Sequence, residues 1–181
     1  SDMTTYYWKV QCYDGWDYNY VSPMKTFNIQ LDNTPPTVPS TPIIQGLYVT
    51  GPNPVSLHYE WTSSSDPETG VANYYLVIGT HTGTEGSFVY SGLTGNATYY
   101  TASVTLTNGK TYYAHVKALN GAGRYSLYSS TSTGIMYDNT APTDISYVND
   151  GTGPDVDYWL NTNSLSANWP ASVDTESGIK R

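Results

Sequence analysis

The chain has 181 residues, a net charge of −8, and seven Lys+Arg against fifteen Asp+Glu. This balance excludes nucleic acid and an anionic membrane surface as partners, because both require a basic face. No apolar run approaches the roughly 18–20 residues of a membrane span, and a single cysteine excludes an internal disulfide framework. Nineteen tyrosines with only 12% charged residues suit an exported β-protein better than a cytosolic enzyme.

Alternation of apolar and polar residues is the main signal along the chain, and helical periodicity is nowhere sustained. Thr5-Tyr6-Tyr7-Trp8-Lys9-Val10 reads as a strand, with Asp14-Gly15 as a turn after it. Next comes a strand near 41–45. A further strand spans 56–61, with Leu57, Tyr59 and Trp61 on one face and Ser56, His58 and Glu60 on the other. Strands follow at 72–79 (Tyr74, Leu76 and Ile78 inward), 87–90, 99–106, 111–119 (Tyr112, Ala114, Val116 and Ala118 on one face) and 125–137. Gly51-Pro52, Asp66-Pro67, Asn108-Gly109 and Asn120-Gly121 separate them as turn formers. Seven short strands in about 105 residues predict an all-β, two-sheet antiparallel sandwich without helices.

The sequence also repeats itself. Thr5-Tyr6-Tyr7-Trp8-Lys9-Val10 returns as Thr111-Tyr112-Tyr113-Ala114-His115-Val116, and Asp32-Asn33-Thr34-Pro35-Pro36-Thr37 as Asp138-Asn139-Thr140-Ala141-Pro142-Thr143, both shifted by 106 residues. Trp61 and Asp66-Pro67-Glu68-Thr69-Gly70-Val71 return as Trp169 and Asp174-Thr175-Glu176-Ser177-Gly178-Ile179, shifted by 108. A period of this size is a whole domain. The expected organisation is a complete domain at 37–142 between two part-domains, 1–36 with the last two strands of one unit and 143–181 with the first two of the next. By the same alignment Cys12 takes the place of Ala118, which predicts a small buried residue, and Tyr6, Trp8 and Val10 should lie inside the preceding domain.

These residues carry a resemblance. The run Leu106-Thr107-Asn108-Gly109-Lys110-Thr111-Tyr112-Tyr113-Ala114-His115-Val116-Lys117-Ala118-Leu119-Asn120-Gly121-Ala122-Gly123-Arg124-Tyr125-Ser126 resembles the E–F corner, F strand and F–G loop of a fibronectin type III domain. Trp61 resembles that family's strand-B tryptophan, and the 66–71 motif leading into Tyr74 resembles the B–C turn of its bacterial and archaeal surface-protein members. The resemblance implies that Tyr112 is a corner tyrosine with its hydroxyl bonded to nearby backbone. One departure is that Asn108-Gly109 stands where a proline usually precedes this tyrosine.

Little in the chain has the pattern of catalytic chemistry. His58 and His115 fall on opposite outer faces, so they cannot share a metal, and all three histidines, His81 included, read as surface residues. No nucleophile elbow, Ser/His/acid set or phosphate loop is present. Asp66/Glu68 and Asp174/Glu176 could be read as acid–base pairs, but their recurrence in successive units argues for a turn or an ion site instead. The loop Asn149 to Asp157 holds closely spaced acidic residues without the EF-hand order. Asn96-Ala97-Thr98 is an N-glycosylation sequon, and outward Tyr75, Tyr113 and Tyr128 could stack on a sugar.

The domain junctions are the candidate site. In this fold Asp32 and Asn33 should approach Asp66 and Glu68, and Asp138 and Asn139 should approach Asp174 and Glu176. Each set converges oxygen ligands of the kind calcium takes; the alternative is that these residues cap their turns and face water. The leading functional expectation is a non-enzymatic structural or adhesive module of a long, repetitive extracellular surface, fibre or adhesin protein, whose partners are neighbouring repeats or other copies of the chain. The alternative is a carbohydrate-binding or spacer module of a secreted polysaccharide-degrading enzyme, with a polysaccharide as partner.

Overall fold

The structure is a computed structural model and describes residues 2–20, 23–155 and 165–180. Strand β1 (Asp2–Trp8) pairs antiparallel with β4 (Lys25–Leu31), and β2 (Gln11–Tyr13) with β3 (Tyr18–Tyr20). Asp14 Oδ1 shapes the β2–β3 turn by accepting from the N–H groups of Trp16 and Asp17, each at 2.9 Å. Tyr6, Trp8, Val10 and Cys12, expected inside a domain, are exposed. The reason is that no second sheet covers these hairpins among the described residues.

The sandwich begins after the linker. One sheet pairs β6 (Val55–Glu60) with β9 (Tyr99–Val104), from Val55↔Val104 to Glu60↔Tyr99. The other runs in the order β5 (Tyr48–Val49), β11 (Ile135–Tyr137), β10 (Thr111–Asn120), β7 (Val71–Gly79), β8 (Phe88–Leu93). The alternation seen in the sequence decides which side chains meet. Leu57, Tyr59 and Trp61 face Tyr74, Leu76, Ile78, Tyr112, Ala114, Val116 and Ala118 in one core, while Ser56, His58 and Glu60 point out. Three small alanines (102, 114 and 118) among the large rings let the two faces interdigitate. Trp61 meets Tyr74 edge-on, with centroids 5.5 Å apart. The corner forms as the resemblance implies: the Thr107 N–H donates to the Tyr112 hydroxyl at 2.8 Å.

Two elements differ from expectation. The strand near 41–45 shrinks to one bridge, Ile43 with Glu60. Gly46, at φ +87°, then turns the chain, and β5 joins the opposite sheet beside β11 in the one parallel pairing among the described strands. The strand at 125–137 is regular only at β11. Ahead of it, Ser126, Ser129 and Ser132 dock on β10 with a period of three against the period of two of Ala118, Val116 and Ala114. Each serine N–H donates to the facing β10 carbonyl, at 2.9, 2.8 and 3.0 Å. Each serine Oγ accepts the N–H of the same β10 residue, at 2.9, 3.1 and 2.8 Å. The hydroxyl replaces the strand carbonyl as acceptor, so β10 stays fully paired without a regular neighbour.

That ladder yields a prediction. Ser129→Ala should cost about 1–3 kcal/mol, because the buried Val116 N–H loses its acceptor. Ser130→Ala, at an exposed position, should change little. Denaturant unfolding of both variants checks the contrast, and equal midpoints would show that the ladder does not support β10.

The outer face of this sheet also departs from the sequence reading. His115, expected at the surface, is only 4% exposed, with Nδ1 3.2 Å from the Ser129 carbonyl and the Tyr128 ring beside it. His58 and His81 are exposed as expected. Tyr75 and Tyr128 do not present an open platform. With Tyr125 they surround Lys117, whose Nζ lies 5.2, 4.7 and 4.2 Å from the Tyr75, Tyr128 and Tyr125 ring centroids. Tyr113 packs where Gly134 passes, and a Cβ there would fall 2.8 Å from its ring. Farther along, β12 (Asn149–Asp150) pairs with β13 (Ala167–Asn168). Part of the acidic 149–157 loop, Val156 and Asp157, lies outside the described residues. No helix among the described residues is long and apolar enough to cross a membrane.

Candidate functional site where the linker meets the sandwich

Asp32 follows β4 and is held in a tight turn. Its Oδ1 accepts from the Thr34 N–H at 3.0 Å and the Thr34 hydroxyl at 3.2 Å. Pro35 and Pro36, which cannot extend a ladder, end the strand at this turn. Asp66 begins the tight turn in the second half of the β6–β7 loop and fixes it by accepting from the Thr69 N–H at 2.9 Å. The loop closes where the Gly70 N–H reaches the Asp66 carbonyl at 3.2 Å. Thr37 N–H then donates to the Ser65 carbonyl and Ser65 N–H to the Thr37 hydroxyl, at 2.9 and 2.8 Å, laying the linker against this loop.

Asn120, the last residue of β10, joins the two. Its Oδ1 accepts from the Ala122 and Arg124 N–H groups at 3.1 and 2.7 Å, which fixes the orientation of the amide. Its Nδ2 therefore faces Asp32 Oδ2 at 2.8 Å, Asp66 Oδ2 at 3.0 Å and the Thr34 carbonyl at 3.0 Å. Two amide hydrogens cannot fully serve three acceptors. The Thr69 hydroxyl adds a bond to Asp32 Oδ2, and Thr34 Oγ1 reaches Glu68 Oε2 at 3.2 Å. Asp32, Asp66 and Asn120 are all buried.

One carboxylate oxygen from each of Asp32, Asp66 and Glu68 lies within 4.8 Å of the others, the one such group of acidic, His or Cys side chains among the described residues. Three carboxylates this close repel unless counter-charged. Arg124 is the nearest cation in the bonding pattern, but it donates to the Asp32 carbonyl at 3.5 Å and to Asn33 Oδ1 at 2.8 Å, leaving the carboxylates to Asn120 and the threonines. An all-oxygen set of this kind suits a hard cation such as calcium or magnesium rather than zinc. The structure thus brings together Asp32, Asp66 and Glu68, and turns Asn33 away to Arg124.

The Asp66 carboxyl is held below its ordinary value of 3.8, first by the Thr69 backbone N–H and, against the opposing effect of burial, also by Asn120. A lowered folded-state value means that this group contributes stability above about pH 4, and that the contribution is lost as pH falls through the lowered value. Acid titration of thermal stability should therefore show a steeper loss below pH 4 in the native chain than in Asp66→Asn. Parallel curves would contradict the assignment.

The same bonds recur one unit later. Thr140 N–H and hydroxyl donate to Asp138 Oδ1 at 3.1 Å each, and Thr143 pairs with Val173 as Thr37 does with Ser65. Asp174 Oδ1 accepts from the Glu176, Ser177 and Gly178 N–H groups. The Ser177 hydroxyl is the main group holding Asp138 below the usual carboxylate range. Glu176 instead accepts from Asn108 Nδ2 at 3.2 Å, and Asn139 Oδ1 accepts from the Gly51 N–H at 3.3 Å. Asp138 and Asp174 border an open cleft of about 600 Å³ with Tyr48, Ser177 and Lys180.

Sequence reasoning missed Thr34, Thr69, Asn120 and Arg124. One signal was present: the Asn120-Gly121 turn aligns with Asp14-Gly15, so a short polar side chain ends this strand in both copies. Elsewhere, His58 touches Thr101 at 2.7 Å and Glu60 at 3.1 Å across the outer face of β6 and β9, an exposed cross-strand cluster.

No protein-family model matches the sequence, and no curated protein matches it. Among solved structures the chain is similar to titin module A71 from human cardiac muscle, with 20% identity over 56% of this chain and 92% of that one and a TM-score of 0.42. It is similar to the FN1–FN3 domains of chicken CNTN1, with 20% identity over 75% and 42% and a TM-score of 0.45. A third is the fibronectin type III domain of human fibronectin type III domain containing protein 3, with 20% identity over 61% and 93% and a TM-score of 0.43. The strand order, the buried Trp61 and the Tyr112 corner agree with the fibronectin type III-like sandwich that the sequence resemblance implies.

Proposed function

We propose that the chain is a non-enzymatic structural module of a long extracellular or cell-surface protein, built of units in series divided at 1–36, 37–142 and 143–181. The observation that carries this reading is the lock between linker and sandwich. Asp32 and Thr34 are tied to Asn120 and Thr69, and the Asp138–Thr140 turn repeats the first half of that lock. A linker that only tethers domains has no need of buried carboxylates; one that fixes their angle does. The same geometry supports calcium as the ion that completes the junction, with Asp32, Asp66 and Glu68 as ligands and neighbouring repeats as the module's partners.

Melting the full chain with calcium and with a chelator tests this. A ligand bound at one hundred times its Kd stabilises by about 2.7 kcal/mol. The melting temperature should rise by about 4 °C or more in millimolar calcium, and Asp32→Asn should abolish the rise. An unchanged melting temperature removes the ion and leaves the side-chain lock. The polysaccharide reading gains no support from the tyrosines, since Tyr75, Tyr125 and Tyr128 are engaged with Lys117.

A further inference from the structure

Asparagine side chains in the sandwich and its flanking linkers are structural with one exception. Asn33 accepts from Arg124, and Asn53 brackets Leu106 by bonding both its N–H and its carbonyl. Asn73 caps Tyr74 and Gly95, Asn108 holds Glu176 and Asn139, Asn120 closes the junction, and Asn139 holds Gly51. Among the asparagines between residues 32 and 139, all of which are described, only Asn96 has a side chain without a hydrogen bond, and it is exposed. It is also the asparagine that heads the chain's one Asn-x-Ser/Thr triplet not blocked by proline, Asn96-Ala97-Thr98. The Thr98 hydroxyl is equally without a bond, while its backbone is engaged.

The backbone around the triplet is fixed on both sides. The Tyr74 N–H donates to the Gly95 carbonyl at 2.8 Å, and the Thr94 N–H donates to the Tyr74 carbonyl at 3.0 Å. The Gly95 N–H donates to Asn73 Oδ1 at 2.8 Å, and the Trp61 N–H donates to the Thr98 carbonyl at 2.9 Å. Gly95 takes φ +87°, and the chain reverses there between β8 and β9. The result is a tip that presents an idle carboxamide to solvent from a rigid base, so a bulky substituent on it displaces no internal contact.

We infer that Asn96 is an N-glycan attachment site, resting on the extracellular reading above. The co-reactant is an oligosaccharide carried on a lipid pyrophosphate. The Asn96 carboxamide nitrogen bonds to the anomeric carbon of the first sugar, that carbon's bond to the pyrophosphate oxygen breaks with the electron pair leaving on the lipid pyrophosphate, and the proton lost from the amide passes to a base of the transferring enzyme. No oxidant or reductant is involved. The sugar would stand at the end of the sandwich that carries the β6–β7 loop, because Trp61 and Tyr74 flank that loop and tie the tip to it. It would solvate the same end that receives the linker, without touching the hydrogen bonds of the lock.

The test is secretion of the full chain through a host with an N-glycosylation pathway, read by intact mass before and after an N-glycan-releasing amidase. The expected result is a single glycan increment that the amidase removes, lost in Asn96→Gln and kept in Thr98→Ser. Asn96→Gln should melt with the unglycosylated chain, since Asn96 holds nothing. As a control, Thr82→Asn completes a sequon with Gly83 and Thr84 on another exposed loop. A secreted Thr82→Asn chain that gains sugar only at position 82 would overturn the inference. Surface labelling of intact source cells separates the two readings: a labelled chain with a bare Asn96 sinks the glycan alone, while an unlabelled chain sinks the extracellular reading beneath it.

Discussion

Trp61→Ala should cost about 3–5 kcal/mol, the range for removing a large buried aromatic side chain. The indole is 5% exposed at the end of β6, packs edge-on against Tyr74, and belongs to the cluster that joins the two sheets. Its backbone N–H donates to the Thr98 carbonyl at 2.9 Å, a bond that alanine keeps, so the cost comes from the lost side-chain packing. Domains of this size are stable by about 5–15 kcal/mol, so the substitution should remove about a fifth of the total or more. Trp61→Phe keeps a ring in the site and should lose clearly less. Chemical denaturation monitored by far-UV circular dichroism measures both variants. A Trp61→Ala midpoint equal to that of the native chain would mean that the core is not built around this residue.

Asn120→Ala should cost about 2–4 kcal/mol, because two amide bonds to carboxylates disappear and buried acceptors are left facing each other. The backbone N–H groups of Ala122 and Arg124 also lose their acceptor, though these lie in an exposed loop where water replaces it. Asn120→Asp is the more informative companion. It keeps the acceptor for the loop but puts another negative charge beside Asp32 and Asp66, so in chelator it should be less stable than Asn120→Ala. If calcium occupies the junction, millimolar calcium should recover Asn120→Asp more than Asn120→Ala, reversing their order. Recovery of neither would leave the amide lock as the whole basis of the junction, and an Asn120→Ala variant as stable as the native chain would remove the lock as well.

The contrast between these two residues reflects what each depends on. Trp61 could be read from the chain because it lies in a strict alternation with Leu57 and Tyr59, and period-two patterning is a local property that fixes which face of a strand is buried. The same holds for Tyr74, Leu76 and Ile78 and for Tyr112, Ala114 and Val116, all of which lie in the core as the pattern requires. Asp32, Asp66 and Glu68 could be proposed as neighbours from the repeat together with the fold that the resemblance implies, and their carboxylates lie within 4.8 Å of one another. Asn120 could not be read in that way. Its role depends on an amide meeting partners 88 and 54 residues away, and no period in the sequence encodes such a distance.

The serine ladder marks the same boundary from the other side. Ser126, Ser129 and Ser132 have a plain period of three, yet that period matches neither a strand nor a helix, so local pattern alone suggested a continuous strand. Only the presence of β10, with unpaired N–H and carbonyl groups two residues apart, gives the hydroxyls something to replace. His115 followed the alternation and still became buried, since Tyr128 and the serine segment cover its side of the sheet. Burial patterns and turn residues are properties of a short stretch of chain and are therefore written in it. Which polar groups satisfy one another across the molecule is decided by packing, because each buried donor or acceptor must find a partner wherever the fold places one.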